Sequence, residues 1–379
     1  MMRRLLLCAA LLPALGGCAS WFEGESAYQP TPLKPLQASV GPKILWQASV
    51  PDAGRGLFSP FIEQGKLWVA GANGKIQQLD AQTGKTLLTL DVKQALVAGV
   101  AVDDGLLFVG NDRAELLALS GTDGKLVWKQ TLTSMLAEPP QLAGRVLVVR
   151  AGDGRVSGFD LKTGRQVWTQ WQAQPALTVR ATTPQIKVEG SDVLLVGEAA
   201  GKVTAYAAER GDQLWQSVVA NARGASELER VTDVVSQPMF DGRRVCAVAY
   251  QGRVACFDSR GGQQLWARDL SSSRGLVSDG KTVFVTAEDG AIWAFDADSG
   301  RNLWKQDDFR YRNVSAPVTL GDQLLVIDGE GYAHLLSSLD GRIVGRSSLK
   351  VNGTMPRPLV SGDVAYVLDN NGNLSALTK

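Results

Sequence analysis

Gly154-Arg-Val-Ser-Gly-Phe-Asp160-Leu-Lys-Thr-Gly164-Arg-Gln-Val-Trp168 decides the fold, because its spacing returns along the chain. The same step from glycine to glycine, with an aspartate four residues before the second, recurs at Gly74/Asp80/Gly84, Gly252/Asp258/Gly262 and Gly290/Asp296/Gly300. Weaker copies keep the step from Ala114 to Gly124, from Gly201 to Gly211 and from Gly331 to Gly341. Four residues beyond the second glycine stand Leu88, Trp128, Trp168, Trp215, Trp266, Trp304 and Gly345. Self-similarity at a period of roughly 40 residues means stacked supersecondary units, none of which buries its apolar face alone.

Each repeated position has a physical task in a four-stranded meander. Asn73-Gly74, Asp153-Gly154, Asp289-Gly290 and Asn371-Gly372 lie between alternating apolar runs, as expected for two-residue type I′ turns joining second and third strands. Asp80, Asp160, Asp258 and Asp296 can accept backbone N–H groups across the next turn, and the glycine four residues on can adopt positive φ. The tryptophan then falls on the fourth strand, where its broad ring can fill the space between neighbouring sheets. Pro60, Pro140, Pro184, Pro238, Pro317 and Pro358 precede short apolar runs, and proline is tolerated at the first residue of a strand.

The last copy runs from Pro358 through Asn371-Gly372 to Lys379 and stops before a fourth strand, while Ile44-Leu45-Trp46 is a strand without a unit. Joining the two closes a ring. The expected fold is therefore all-β, an eight-bladed propeller over residues 44–379 whose N-terminal strand completes the last blade. An open solenoid would leave both ends uncapped.

Ahead of the repeats, Arg3 and Arg4 precede the apolar run from Leu5 to Leu12 and a small-residue zone ending in Cys18, the layout of a secretory signal. The run is too short to cross a bilayer, which takes about 20 apolar residues. Residues 1–17 are read as signal peptide and 18–43, with Pro30, Pro32, Pro35 and Pro42, as a tether whose second half either stays free or packs on the domain.

Charge and composition remove several classes of function. Lys and Arg number 39 against 38 Asp and Glu. Removing Arg3 and Arg4 leaves 37 − 38 = −1, so bulk charge recruits neither nucleic acid nor a membrane surface. His334 is the single histidine, which leaves little material for a zinc site or histidine acid–base chemistry. The run from Asp369 to Asn373 lacks the bidentate acid of a calcium loop and reads as a hairpin turn. Arg243, Arg244, Arg310 and Arg312 read as solvated turn or edge charges, and His334 as a packed or surface side chain. The expectation is no catalytic residue, no metal and no cofactor.

Asp160-Leu-Lys-Thr-Gly164-Arg-Gln-Val-Trp168 resembles the tryptophan-docking repeat of the quinoprotein propellers, a likeness that covers residues 44–379. Leu15-Gly16-Gly17-Cys18 resembles a bacterial lipobox, which implies cleavage before Cys18, acylation (palmitate among the chains) and, with Ala19 next, sorting to the outer membrane. Lipobox, proline-bearing tether and propeller together resemble the lipoprotein subunits of the outer-membrane β-barrel assembly (BAM) machinery. That resemblance implies a non-enzymatic scaffold on the periplasmic face of the outer membrane, assisting the folding and insertion of outer-membrane proteins. The alternative is a periplasmic PQQ-dependent quinoprotein dehydrogenase, which would need a calcium and a quinone pocket. Its alcohol-oxidising members carry a Cys-Cys pair, absent from this sequence.

Two connections are long, 16 residues from Trp168 to Pro184 and 23 from Trp215 to Pro238, and long loops commonly carry function. Leu177, Val179 and Arg180 resemble the segment by which that lipoprotein family meets the periplasmic domains of BamA. Asp233 resembles the first of two acidic residues in the family's second segment, and Val235 stands where the other would be. The implied partners are BamA and, through the lipid, the membrane, with contact to unfolded outer-membrane precursors left open. Cys246 and Cys256 flank Tyr250-Gln251-Gly252 symmetrically. A three-residue loop sets them opposite for a disulfide in an oxidising compartment, whereas a two-residue loop leaves two thiols on different rungs.

Overall fold

A computed structural model describes residues 29–36, 41–54, 56–179, 186–188, 190–349, 351 and 357–379. Among these, every regular element is a β-strand, and the strands form eight sheets in sequence order around a ring. Blades 1 to 7 span residues 61–91, 96–131, 141–171, 186–218, 239–269, 275–306 and 318–348. Blade 8 takes its first three strands from residues 359–378, and its outermost from Lys43–Ser49. That strand runs antiparallel to Asn373–Thr378, with Lys43 opposite Thr378 and Ser49 opposite Asn373, so the ring closes as the orphan strand at Trp46 requires. Blade 2 carries one addition, a parallel inner strand of Leu57 and Phe58 opposite Ala98 and Gly99.

The repeat motif is the joint between blades. Asp160 Oδ1 accepts the N–H groups of Lys162 and Thr163 and the Thr163 hydroxyl, which sets the turn, and Gly164 holds φ at +70°. The indole of Trp128, from the preceding blade, lies flat on that glycine and donates from Nε1 to the Leu161 carbonyl at 2.9 Å. A Cβ on Gly164 would sit 2.6 Å from the Trp128 ring. The same contact joins Trp46 to Gly84, Trp168 to Gly211, Trp215 to Gly262, Trp266 to Gly300 and Trp304 to Gly341. Each joint couples a buried aromatic face to one satisfied N–H donor, so the blades are held by side-chain packing rather than by a continuous ladder.

The hairpins at Asn73-Gly74, Asp153-Gly154, Asp289-Gly290 and Asn371-Gly372 differ from the expected type I′ form. Gly71 N–H donates to the Lys75 carbonyl and Gly74 N–H to the Gly71 carbonyl, and of Asn73 and Gly74 only the glycine has positive φ, +82°. The loop is therefore a type I turn followed by a glycine bulge, which needs one left-handed residue instead of two. Asn73 Oδ1 accepts the Lys75 N–H at 3.1 Å, and Asp153 and Asp289 do the same two residues ahead. Asp369 also closes a hairpin turn, taking the N–H groups of Asn371 and Asn373.

Between Cys246 and Cys256 the loop has three residues, and register makes the two direct cross-strand partners. Their Cα atoms are 4.0 Å apart and the sulfurs are bonded, inside the packed layer between blades 5 and 6.

Two of the four arginines expected in solvent are buried. Arg244 sits between Asp241, Asp298 and the Gly280 carbonyl. Arg312 binds Asp328 and Glu330. A guanidinium has donors enough to be fully paired in the interior, and here acceptors from adjacent blades supply the pairing. His334 is buried too, its Nε2 2.9 Å from Asp328 Oδ2 and its ring edge-on to Phe309. Part of the tether packs: residues 29–36 and 41–42 lie against blades 6 and 7.

Candidate partner-binding face

Four antiparallel strands per blade put the hairpins between second and third strands on one face of the ring. The connections from each fourth strand to the next blade share that face, and both long connections belong to it. The turn at 198–201, the hairpin of blade 4, lies between them.

Asp233 ties the three segments together. Its Oδ2 accepts the Val179 N–H at 2.7 Å and its Oδ1 the Ala200 N–H at 2.9 Å, while its own carbonyl accepts the Tyr250 N–H of the next hairpin. The neighbouring Val234 N–H donates to the Glu198 carbonyl, and Val234 packs on Gly197, so the second connection is threaded down onto blade 4. With both carboxylate oxygens accepting backbone N–H groups and the residue 2% exposed, Asp233 holds the first connection from beneath. Val235 is buried at 3% beside it, so the position where an acid was expected lies inside the face.

Above this tie the surface is apolar. Leu177 is 43% exposed, and Val179 is half-buried. Arg180 lies outside the described residues, as does Cys18. Trp171, 60% exposed, and Leu228, 71% exposed, were not singled out by sequence. Trp171 had a signal: it is a tryptophan out of register, three residues past the docking Trp168. Leu228 sits on the second connection between Glu227 and Glu229, where Glu229 Oε2 accepts the Ala225 and Ser226 N–H groups.

Beside Val179 opens a cavity of about 870 Å³, lined by Leu57, Leu96, Met135, Leu136 and Val235, with Ser134, Arg150, Gln174, Thr178 and Asp233 among its polar side chains. Arg150 Nη1 donates to the Gly197 carbonyl at 2.6 Å. Behind it Glu198 accepts hydrogen bonds from Thr204, Tyr206 and Gln216. Burial pushes the Glu198 carboxyl above its usual range, and burial with the nearby Glu198 charge pushes the Tyr206 phenol up as well. Among the described residues no three His, Cys, Asp or Glu side chains converge where a metal ion could sit. What the face offers is a rigid apolar platform with backbone and amide groups at its rim, suited to a protein surface.

Residues 72–306 match the family described as outer membrane protein assembly factor BamB. The assembly factor BamB of Bordetella pertussis is 35% identical over 365 residues, 96% of this chain and 94% of that protein. The crystal structure of BamB from Moraxella catarrhalis superposes with a TM-score of 0.80 at 23% identity, covering 89% of this chain and 100% of that one. The quinohemoprotein alcohol dehydrogenase of Comamonas testosteroni has a TM-score of 0.68 at 11% identity and covers 89% of this chain, but only 76% of its own length is matched; it shares the propeller alone. A likeness that runs nearly end to end through both sequences exceeds anything a common repeat would produce, and the chain belongs to the BamB family of outer membrane protein assembly factors.

Proposed function

We propose that this protein is a non-enzymatic scaffold of outer-membrane protein assembly, anchored by acylated Cys18 on the periplasmic face of the outer membrane. The observation that carries the reading is the full-length likeness to assembly factors, which includes the segment ahead of the propeller. In this reading Leu177 and Val179 give up apolar surface to a periplasmic domain of BamA, and Arg180 forms a bidentate bond to a carboxylate or caps backbone carbonyls of that partner. Asp233 acts one step back, fixing the height of Val179 through a backbone bond. Pre-setting the loop in this way lowers the ordering cost of association.

The dehydrogenase alternative shares the fold and nothing in the residues of the face supports it. One experiment separates the two. Affinity purification from detergent-solubilised envelope, followed by mass spectrometry, should recover a barrel-assembly complex with the wild-type protein. Cys18→Ser should yield a soluble or uncleaved form. Calcium- and quinone-dependent dye reduction by the purified protein, with no assembly partner recovered, would overturn the proposal.

A further inference from the structure

The segment ahead of the propeller is described over residues 29–36, and it is built into the molecule by its backbone. Thr31 N–H donates to the Arg310 carbonyl at 3.0 Å, and the Thr31 carbonyl accepts from Arg312 Nη1 at 2.9 Å. Lys34 reaches Asp308 at 2.7 Å, and its carbonyl accepts from Arg346 Nη1 at 3.2 Å. Further along, the Pro42 carbonyl accepts from the Ser347 hydroxyl at 2.8 Å, and Gly41 passes so close to blade 7 that a Cβ would lie 2.2 Å from the Arg346 carbonyl. Pro30, Pro32 and Pro35 hold the chain extended without internal hydrogen bonds, which leaves its carbonyls free to be read.

The two guanidiniums that read them are fixed from behind by one buried pair. Arg312 Nε donates to Asp328 Oδ2, which also binds His334 Nε2, and Arg346 Nε donates to His334 Nδ1 at 3.3 Å. Asp328 and His334 are both fully buried. Both arginines are thus bonded from inside the propeller while they hold the extended strand, which is the arrangement of a docking site rather than of a chance crossing.

The position of that site sets an orientation. The connection at 307–312 lies on the hairpin face, since Tyr311 N–H donates to the Asp289 carbonyl and Gly329 N–H to the Arg312 carbonyl. The arm leaves the propeller there, two blades around the ring from the joined connections of blades 4 and 5. From Cys18 to Gln29 the chain can span at most about 40 Å. We infer that residues 29–36 are a strap, docked on blades 6 and 7 by Arg312 and Arg346, which turns the hairpin face toward the lipid surface. The orientation rests on the acylation of Cys18 proposed above; the docking does not.

Two measurements separate these parts. Amide exchange on the full acylated chain should find the Thr31 amide at least about tenfold slower than an unprotected one, and released by Arg312→Met. Thr31→Pro removes the same donor without touching the propeller, and should free the strap with the blades' protection unchanged. Unprotected exchange at wild-type Thr31 overturns the strap. For orientation, a fluorophore placed through Ser226→Cys on the hairpin face should be quenched by nitroxide lipids in vesicles more than one placed through Thr83→Cys on the far face. Thr31→Pro should narrow the difference. Equal quenching at the two sites in an otherwise wild-type chain overturns the orientation. A chain that never binds vesicles fails the anchor reading instead, and the exchange at Thr31 still decides the docking.

Discussion

Asp233 is the residue whose removal most directly tests the proposed face. In the native protein it satisfies two part-buried backbone donors, from Val179 at 2.7 Å and Ala200 at 2.9 Å. Hydrogen bonds to a charged acceptor contribute about 1.5–3 kcal/mol each, so Asp233→Ala removes roughly 3–6 kcal/mol of gross interaction. Less than that will appear in global stability. Val179 is half-exposed on a connection that can lift into water and rehydrate its N–H, whereas the Ala200 turn stays in place. The global cost should be about 1–2 kcal/mol, read as a lower urea midpoint with an unchanged slope. The remainder, about 2–4 kcal/mol, should appear as local opening, with exchange at the Val179 amide faster by roughly 30–900-fold. Asp233→Asn keeps one acceptor oxygen and should fall between. Affinity for the periplasmic domains of BamA should drop in both variants. An Asp233→Ala protein with native exchange at Val179 and native affinity would refute the account of how the face is built.

Other outcomes follow from the same geometry. Gly300→Ala and Gly65→Ala impose similar backbone strain, at φ +65° and +73°, but only the first puts a Cβ 2.5 Å from a docked indole, that of Trp266. Urea unfolding should show about 1–2 kcal/mol lost at Gly65 and a further 1–3 at Gly300; equal losses would mean that tryptophan docking does not hold the blades. Arg180→Glu should weaken binding to the BamA domains by at least about 2 kcal/mol, and Leu177→Asp should also weaken it, at unchanged melting temperature; wild-type affinity in both would remove this patch from the interface. Burial holds the His334 imidazolium pKa below the usual histidine range despite the opposing Asp328 carboxylate. The unfolded chain therefore takes up this proton first, and stability should fall as pH drops below about 6.5. His334→Gln should remove that part of the slope in urea midpoints between pH 7.5 and 5.5, and an unchanged slope would exclude the histidine as its source. Thiol labelling of unreduced, denatured protein should find Cys246 and Cys256 blocked, and full labelling at both would reject the bond.

How far the molecule could be read from sequence depended on the distance between partners. Asp160, Gly164 and Trp168 interact through a local turn and the adjacent blade, so their spacing alone carried the fold, and Trp46 without a unit carried the closure. Asn73-Gly74 was ambiguous for a physical reason: the pair suits a type I′ turn and a type I turn with a glycine bulge equally, and only the register of the flanking strands decides. Arg312 looked like a surface charge because Asp328, which neutralises it, comes from a separate stretch of chain, and the burial of Arg244 rests in part on Asp298 and Gly280 of the next blade. Asp233 was marked through resemblance, but its contact is with a backbone N–H 54 residues away, and no side-chain pattern announces such a bond. The cavity beside Val179, assembled from four blades, had no sequence signal at all.

The pairing of Lys43–Ser49 with Asn373–Thr378 has a consequence in time. The first strand of the propeller to leave the ribosome is the last to find its place, because its partner ends the chain. The two stretches stand 373 − 49 = 324 positions apart, so no local folding event brings them together. Until the C-terminal strand is in place, seven blades can form while the eighth lacks its outer strand. A protein that serves the assembly of other β-sheet proteins thus passes through the same hazard as its clients, an unpaired strand held waiting for a distant partner.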